Sequence, residues 1–479
     1  MPRRADAPTF GGGGGLMAGI GFSLRELAKG DDLLGTLRAF MHATLVAAGP
    51  WLVTILSLGT LSVMAGGLAD DSDVAIFRIV VIYNFGFSLT LVGPVAIVVT
   101  RYLADRIYER NVSEGPGMLL GALAVMAATQ MPLAIGLYGF AIDATLEVRL
   151  AAIASYLATA ALWVAGVFLS TLKDFRAITF AFIVGMACGL AAGLALAPYG
   201  AAGLLSGFTI GLCIVLFALI ARIFAEYPYP VLKPFAFVAY FRRYWDLAAT
   251  ALAYNLAIWV DKWIMWLEPG RTVEAGVLVS YPLYDSAMFL AYLTILPAMA
   301  MFVLIVETAF FDRYLVFFDQ IRKHGTWARI RAAQLDLIDT VGEGFRVLIV
   351  LQGALTYLAI LLAPTLFVAL GVSFAEMGMF RLGVLGALFH SLLLFVLIVF
   401  AYFDLRMLAL KLVVFFLIAN TVLTFGTLVA GFAWYGYGYF LSALASFMIG
   451  YTILLRKLAN LPYLSFIESN PSIRVQKAD

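Results

Sequence analysis

The chain has 479 residues, of which 63% are hydrophobic and only 13% are charged, and its mean hydropathy is +0.98. A soluble protein is about half apolar and about one-quarter charged, so a soluble core cannot hide this much apolar surface. The composition therefore excludes a soluble enzyme, a nucleic-acid-binding protein and a disordered scaffold. The formal net charge of +2 is uninformative as a total, whereas the positions of the charges orient the chain in a membrane.

Residues 1–37 are predicted to form a disordered Gly-rich leader and a short amphipathic helix. Arg3 and Arg4 precede five consecutive glycines rather than an apolar core and a cleavage site, which argues against a signal peptide. Ser23 and Glu26 have the spacing of a helix-capping box. This spacing predicts an interfacial helix before the first span.

Continuous apolar stretches predict twelve transmembrane helices, because about 20 apolar residues cross a bilayer as a helix. The predicted spans lie near residues 38–66, 75–101, 118–140, 148–171, 176–198, 201–223, 245–267, 278–307, 346–371, 378–403, 407–430 and 434–456. An excess of Lys and Arg marks cytoplasmic segments. With both termini in the cytoplasm, most basic residues are cytoplasmic, and the outer loops hold only Arg149, Arg271 and Arg381. The sequence therefore predicts an all-α, multi-pass membrane protein.

Similar sequences recur in the two halves of the chain. Tyr199-Gly200 precedes span six, and Tyr435-Gly436 precedes span twelve. These matches predict two six-helix lobes related by a pseudo-two-fold axis along the membrane normal, as in several transporters; the alternative is chance similarity between Gly-rich helix starts. The predicted units after the leader are an N-terminal lobe (38–226), a basic cytoplasmic linker (227–244), a C-terminal lobe (245–457) and a cytoplasmic tail (458–479).

The C-terminal lobe contains an insert, residues 308–343, that the N-terminal lobe lacks. Apolar residues recur in it at helical spacing, and basic residues fill other positions. The pattern indicates cytoplasmic amphipathic helices, either lying on the membrane surface or forming a docking surface for a cytoplasmic partner. The candidate docking residues are Arg313, Arg322, Lys323, Arg329 and Arg331.

Charged residues inside the spans are candidates for the transport path, because an ionisable group in hydrocarbon is costly. The charged candidates, all in the outer halves of the spans, are Arg78, Asp261, Lys262, Asp285 and Arg381, and the neighbouring aromatic residues Trp259 and Tyr284 are candidates with them. We expect Lys262 or Asp261 to pair across helices with Asp285 or Arg78. The alternative is that these charges form structural ion pairs or extend to the interface.

Two kinds of charge are missing from the expected cavity. The spans of the N-terminal half contain no carboxylate, although a cation-coupled drug exporter needs a buried acid. The inner half of the expected cavity contains no arginine cluster, although a carrier of pyrophosphate-linked lipids needs several cations. Both absences favour a neutral, sugar-like cargo.

Aromatic residues gather at the outer ends of spans seven and eight, and they are Trp259, Trp263, Trp266, Tyr281 and Tyr284. They indicate either an aromatic belt at the lipid headgroups or a surface on which sugar rings stack. Proline residues interrupt several spans, and Pro50, Pro94 and Pro297 are candidate hinges for alternating access.

No pattern in the sequence predicts a cofactor, a metal or an enzymatic activity. Cys188 and Cys213 lie in separate apolar runs, and His42, His324 and His390 are far apart. A phosphate-binding Gly-Lys-Ser/Thr loop and a His-Glu-x-x-His motif are also missing. We therefore expect no catalytic residue and no metal ligand.

Several motifs resemble the PelG family of exopolysaccharide transporters, over residues 19–460. They are residues 19–27, 48–51, 258–263, 280–285, 289–297 and 307–310. The resemblance implies the fold of the multidrug/oligosaccharidyl-lipid/polysaccharide transporter (MOP) superfamily. It also implies export of the Pel polysaccharide, which is rich in N-acetylgalactosamine and expected to be neutral during export, across the inner membrane of a biofilm-forming bacterium.

The implied partners are a cytoplasmic glycosyltransferase, a membrane protein that senses cyclic di-GMP, and other Pel synthase subunits. The family supplies no established site residue to transfer to this chain. Two alternatives stay open: a flippase for a lipid-linked oligosaccharide, and a membrane scaffold that supports a polysaccharide synthase without moving sugar.

Overall fold

The computed structural model describes Gly49, residues 52–169, residues 175–463 and Phe466. The predicted leader, the candidate hinge Pro50 and most of the predicted tail lie outside the described residues.

Within the described residues, the N-terminal half consists of helices joined by short turns. Its elements are α1 (Leu52–Ala65), α2 (Asp71–Tyr108), α3 (Gly115–Ala134), a π-helical extension of α3 (Ile135–Ala141), α4 (Leu146–Leu169), α5 (Phe175–Leu196), a 3-10 turn (Ala197–Tyr199) and α6 (Gly200–Glu226). The long apolar runs favour helices here because a helix satisfies its backbone hydrogen bonds internally in lipid.

The C-terminal half adds one small hairpin to its helices. Its elements are α7 (Val238–Arg243), α8 (Trp245–Met265), the antiparallel strands β1 (Thr272–Glu274) and β2 (Leu278–Ser280), α9 (Pro282–Leu293), α10 (Leu296–Ile305), a π-helical turn (Val306–Phe310), α11 (Phe311–Arg322), α12 (Trp327–Leu370), a 3-10 turn (Phe374–Glu376), α13 (Met377–Tyr402), α14 (Arg406–Ala430), a 3-10 turn (Phe432–Trp434), α15 (Tyr437–Ala459) and α16 (Leu461–Tyr463).

The twelve predicted spans correspond to α1 to α6, α8, the pair α9–α10, and α12 to α15. Within the described residues, nine helical segments are long and apolar enough to cross a membrane. That count treats α5 and α6 as one segment and omits two helices: α1, which is short in the described range, and α8, which carries Asp246, Asp261 and Lys262. The predicted multi-pass helical fold is confirmed.

The same helix pairs pack against each other in both halves. In the N-terminal lobe these are α2–α4, α3–α4, α4–α6 and α5–α6; in the C-terminal lobe they are α9–α13, α12–α13, α13–α15 and α14–α15. Gly200 and Gly436 each follow a 3-10 turn with a positive φ, of 66° and 94°. A side chain would strain this backbone conformation, so the matching Tyr-Gly pairs mark equivalent turns in two repeated lobes.

Helices α5 and α6 touch backbone to backbone. A Cβ atom added at Gly211 would lie 2.8 Å from the Cα atom of Gly189. Such an approach requires small residues on both helices, and this crossing holds the wall of the N-terminal lobe together.

The two lobes meet mainly along α2 and α8, and the hairpin β1–β2 also packs on α2. We call the end of the bundle with this hairpin the hairpin end, and the end with α7 the linker end. The backbone N–H of Asp143, between α3 and α4, donates to the carbonyl of Ala275 in the hairpin turn at 2.8 Å.

The predicted insert is only partly a separate surface element. Its first helix, α11, packs on the C-terminal lobe, where the Tyr314 hydroxyl donates to the carbonyl of Tyr402 at 3.2 Å. Its second part is continuous with span nine in the 44-residue helix α12, and no proline lies between them. Gln334 fixes this extension by donating to the carbonyls of Leu458 (2.7 Å) and Ala459 (2.9 Å).

Candidate functional site

The interior of the C-terminal lobe contains a buried ion pair. Asp261 is fully buried and Lys262 is nearly so, with 0% and 8% of their surfaces exposed. The Lys262 Nζ atom lies 3.1 Å from Asp261 Oδ1 and 3.0 Å from Oδ2, and it also donates to the carbonyl of Ile258 at 3.0 Å. The two charges neutralise each other, which offsets part of the cost of removing them from water.

This pairing corrects the expectation from the sequence. Consecutive residues of a helix point about 100° apart, and we expected partners on other helices. The four-carbon stem of Lys262 instead folds back to its own neighbour. Asp285 accepts hydrogen bonds from Trp266 Nε1 (3.0 Å) and from the backbone N–H of Tyr281 (3.1 Å), and Arg78 is exposed.

Tyrosine side chains enclose the ion pair. The Tyr284 hydroxyl donates to Asp261 Oδ2 at 3.0 Å. The Lys262 ammonium lies over two rings, 4.2 Å from the centroid of Tyr292 and 5.7 Å from that of Tyr439. An ammonium ion is attracted to the face of an aromatic ring, most strongly where water is excluded. The ring contacts therefore hold the lysine in place.

His390 extends this cluster, and the sequence analysis missed its role. Its Nε2 atom lies 2.8 Å from the Tyr254 hydroxyl, and its Nδ1 atom lies 2.9 Å from the Tyr439 hydroxyl. The signal was a histidine in the middle of an apolar span, and it was considered only as a metal ligand. Within the described residues, no group of three His, Cys, Asp or Glu side chains is placed to hold a metal ion.

The N-terminal lobe contains a polar cluster without charge. The Tyr138 hydroxyl donates to Asn84 Oδ1 at 2.7 Å, and the Tyr156 hydroxyl donates to Gln130 Oε1 at 2.6 Å. The amide nitrogens of Asn84 and Gln130 have no hydrogen-bond partner among the described residues. Buried polar atoms are normally paired, so these two amides are positions where water or a neutral polar ligand would be stabilised.

The three outer tryptophans lie between the lobes rather than in a belt. The ring of Trp266 stacks on Tyr83 at 4.9 Å, and the ring of Trp263 stacks on Phe87 at 5.1 Å. Trp259 lies against Gly86 of α2, where an added Cβ would approach its ring to 3.1 Å. The three tryptophans therefore join the lobes in this structure, and their use as a surface for sugar rings stays a prediction.

At the linker end, three arginines surround one tyrosine ring. The guanidinium carbons of Arg101, Arg243 and Arg406 lie 5.2, 5.4 and 5.1 Å from the ring centroid of Tyr244. Arg406 also bonds to Asp246 at 3.2 Å. The sequence analysis expected no arginine cluster in the inner half of the cavity. It did not find this one because the three arginines come from three separate segments of the chain. Arg101 belongs to the N-terminal lobe and Arg406 to the C-terminal lobe, so the ring joins the lobes.

The linker is attached to the N-terminal lobe through Glu114, which is buried between α2 and α3. Its carboxylate accepts hydrogen bonds from the Tyr102 hydroxyl and, at 3.0 Å, from the Lys233 ammonium. The Tyr102 hydrogen bond, followed by Lys233, lowers the pKa of Glu114 below its usual value.

The remaining candidates are scattered. Arg381 is exposed at the hairpin end. Helix α2 continues through Pro94, whereas Pro297 follows the break between α9 and α10, where Gln352 donates to the carbonyl of Thr294 at 3.0 Å. A break inside a membrane helix needs such partners for its free carbonyls.

The basic residues of the insert are exposed and mostly paired within the chain. Arg322 and Lys323 both contact Asp319, at 2.5 and 2.6 Å. Arg331 donates to Gln334 at 2.7 Å. The other two, Arg313 and Arg329, are also exposed, and Arg313 lies 3.9 Å from Asp336.

Comparison with known proteins identifies a family and a fold. The model of the PelG family of exopolysaccharide exporters (EPS-E) matches residues 17–466. No protein of curated function matches the sequence significantly.

Similar solved structures include MATE family and other MOP superfamily transporters. An outward-facing multidrug resistance MATE family transporter is 15% identical, with a TM-score of 0.56 over 92% of this chain and 98% of that one. A MOP superfamily transporter from Pyrococcus furiosus, described as having a binding pocket of reverse polarity, is 15% identical, with a TM-score of 0.56 over 88% and 96%. A MATE transporter in complex with MaD5 is 14% identical, with a TM-score of 0.59 over 88% and 96%. These matches confirm the two-lobe, twelve-helix fold.

Proposed function

The chain belongs to the PelG family of exopolysaccharide exporters, and from that premise we propose that it moves a Pel-like polysaccharide, rich in N-acetylgalactosamine, across the bacterial inner membrane. The polymer comes from a cytoplasmic glycosyltransferase, and a cyclic di-GMP-sensing membrane protein and other Pel synthase subunits complete the assembly. In this proposal the linker end and both termini face the cytoplasm. The chain acts as a transporter and not as an enzyme.

The observation that carries the proposal is the absence of net charge in the two buried polar clusters described. In the C-terminal lobe, Asp261 cancels the charge of Lys262. In the N-terminal lobe, Asn84 and Gln130 offer unpaired amide N–H groups. Hydroxyl and acetamido groups of a neutral sugar are suited to amides of this kind, whereas an ionic cargo needs an opposite charge.

A second candidate is a flippase for a lipid-linked oligosaccharide. The specific observation in its favour is the cluster of Arg101, Arg243 and Arg406 around Tyr244, because guanidinium groups bind phosphates. Carboxylates already pair with two of these arginines, at Arg101–Asp105 and Arg406–Asp246. The polymer therefore remains the preferred cargo.

The test uses inverted membrane vesicles that contain this chain, the glycosyltransferase and the accessory proteins. Labelled UDP-N-acetylhexosamine is added, and the polymer that survives added glycosidase is measured. Protected polymer without a lipid anchor, lost when this chain is omitted, is the expected result. Protected sugar attached to polyprenyl pyrophosphate would instead identify a flippase, and polymer that stays wholly digestible while synthesis requires the chain would identify a scaffold.

A further inference from the structure

The linker between the lobes, residues 227–244, is fixed against helix α3. The carbonyl oxygens of Leu232 and Pro234 lie so close to Gly117 and Gly121 that a Cβ atom on either glycine would overlap them. Glycine permits such a close approach because it has no side chain. The linker therefore holds a definite position, and it crosses α3 near the first residue of that helix, where the predicted span begins.

The outward side of the linker is apolar. Its large exposed side chains, each with at least 44% of its surface exposed, are Tyr229, Val231, Leu232, Phe235, Val238 and, at the start of α8, Trp245. An exposed apolar patch of this kind marks an interaction surface. Because it lies where α3 and α8 enter the membrane, its nearest apolar neighbour is the lipid interface, where tryptophan is enriched.

Two arginines without a counter-ion lie at the end of this surface. Arg242 and Arg243 are exposed, and neither forms an ion pair with a carboxylate in the part of the chain that the structure describes. The third cation of the linker, Lys233, is already paired with Glu114. Residues 227–245 contain no Asp or Glu, so the linker carries positive charge that no neighbouring residue in the sequence cancels.

We propose that the linker is a binding site for anionic phospholipids of the leaflet at the linker end. Arg242 and Arg243 bind the headgroup phosphate, since a guanidinium group offers paired N–H donors that match phosphate oxygens. Phe235 and Val238 enter the adjoining acyl-chain region. Spacings of three and four residues place Phe235, Val238 and Arg242 on one side of α7 and the turn before it. Basic residues beside exposed apolar side chains bind anionic membranes in this way.

The site adjoins the contact between the lobes. Arg243 lies over the ring of Tyr244, and the same ring contacts Arg101 of the N-terminal lobe and Arg406 of the C-terminal lobe. Three guanidinium groups around one ring repel each other, and carboxylates pair only with Arg101 and Arg406. A phosphate bound at Arg243 supplies the missing negative charge, and it therefore favours the state in which the lobes are closed at the linker end.

The experiment uses the purified full chain in nanodiscs of phosphatidylcholine with a trace of phosphatidylglycerol that carries a photoreactive diazirine. After illumination, the cross-linked peptides are identified by mass spectrometry. We expect the linker peptide to be labelled, and Arg242→Gln with Arg243→Gln to reduce this labelling to that of a phosphatidylcholine probe. The control Arg322→Gln with Lys323→Gln removes the same charge from a pair that Asp319 already binds, and it keeps the wild-type labelling.

Thermal unfolding separates a lost site from a folding defect. In pure phosphatidylcholine, the double variant of Arg242 and Arg243 is expected to unfold near the wild-type temperature, since neither arginine has an ion pair to lose. Added phosphatidylglycerol is expected to raise the unfolding temperature more in the wild type than in the double variant. An equal increase in both proteins would contradict the site.

Three results of the labelling experiment would overturn the proposal. Equal labelling of the wild-type linker by the two lipid probes would show that the headgroup is not recognised. Competition by inorganic phosphate would identify a site for free anions, and competition by polyprenyl pyrophosphate that exceeds that of phosphatidylglycerol would assign the arginines to a lipid-linked cargo. Because the assay contains no polymer, the lipid site and the proposed export function fail separately.

Discussion

The rings of Tyr83 and Trp266 stack face to face, with centroids 4.9 Å apart and planes 3° apart, and they belong to different lobes. The Tyr83 hydroxyl also accepts from the backbone N–H of Val279 at 2.9 Å and lies 3.0 Å from its carbonyl oxygen. The hairpin is therefore bonded to α2, and the lobes are closed against each other at the hairpin end. Passage of a polymer there requires these contacts to separate.

A disulfide across this closure should stop export. The backbones of Asp143 and Ala275 are joined by a 2.8 Å hydrogen bond, so the two residues are neighbours across the closure, as a disulfide requires. In a background with Cys188→Ala and Cys213→Ala, we expect Asp143→Cys with Ala275→Cys to block polymer protection in vesicles under oxidation, and reductant to restore it. Each single cysteine variant is the control. Undiminished export by the fully oxidised pair would show that the hairpin end does not open there.

Removing one partner of the buried ion pair should cost more than removing both. Asp261→Ala leaves the Lys262 ammonium buried without its counter-ion, an effect of about 3–5 kcal/mol in other proteins. We expect the double variant Asp261→Ala, Lys262→Met to unfold at a higher temperature than Asp261→Ala alone. Thermal unfolding in detergent gives the unfolding temperatures of the single and the double variant.

The same variants separate stability from transport. The double variant is expected to recover folding but not export, since the buried ion pair is gone. Export at the wild-type level in the folded double variant would show that Asp261 and Lys262 take no part in transport.

Acid should loosen the linker from the N-terminal lobe through Glu114. The pKa of Glu114 is lower in the folded chain than its usual 4.5. The ionised Glu114 therefore stabilises the fold fully above pH 4.5, and this stabilisation declines as the pH falls through the lowered pKa of the folded chain. We expect wild-type stability to fall in that range, and Glu114→Gln to lack this part of the decline. The measurement is the unfolding temperature of the wild type and of Glu114→Gln at several pH values between neutral and acidic.

A control at the same site tests the assigned cause. Tyr102→Phe removes the largest contribution to the lowered pKa, and we expect a loss of about 1.5–3 kcal/mol at neutral pH, as for a hydrogen bond to a charged group. An acid response identical in wild type and Glu114→Gln would refute the assignment.

Substitution at the α5–α6 crossing should be far more harmful than at a glycine with free space. A Cβ at Gly211 would meet the carbonyl of Gly185 at 2.7 Å, whereas one at Gly166 meets no atom within 4 Å. We expect Gly211→Ala to lose about 1–3 kcal/mol, the usual cost of overpacking, and Gly166→Ala to unfold near the wild-type temperature. Equal unfolding temperatures in the two variants would contradict the tight crossing.

Much of the fold was predictable because lipid imposes simple rules on a sequence. Apolar length gave the spans, and the repeated Tyr-Gly pairs gave the two lobes. The site was less accessible, since its contacts join distant parts of the chain: His390 meets Tyr254 across 136 positions and Tyr439 across 49. The pairing of Lys262 with Asp261 depends on a side-chain rotamer, which helical spacing does not determine.

Helix α12 links the surface of the bundle to its interior as one continuous rod. Its first residue, Trp327, is exposed, and Gln352 on the same helix holds the break between α9 and α10. These two positions are separated by about 38 Å of helix at about 1.5 Å per residue. A helix tilt of about 5° over that lever arm displaces its end by about 3 Å, the length of one hydrogen bond. A force applied near Trp327 would therefore reach the broken helix through α12 itself, without a diffusing messenger.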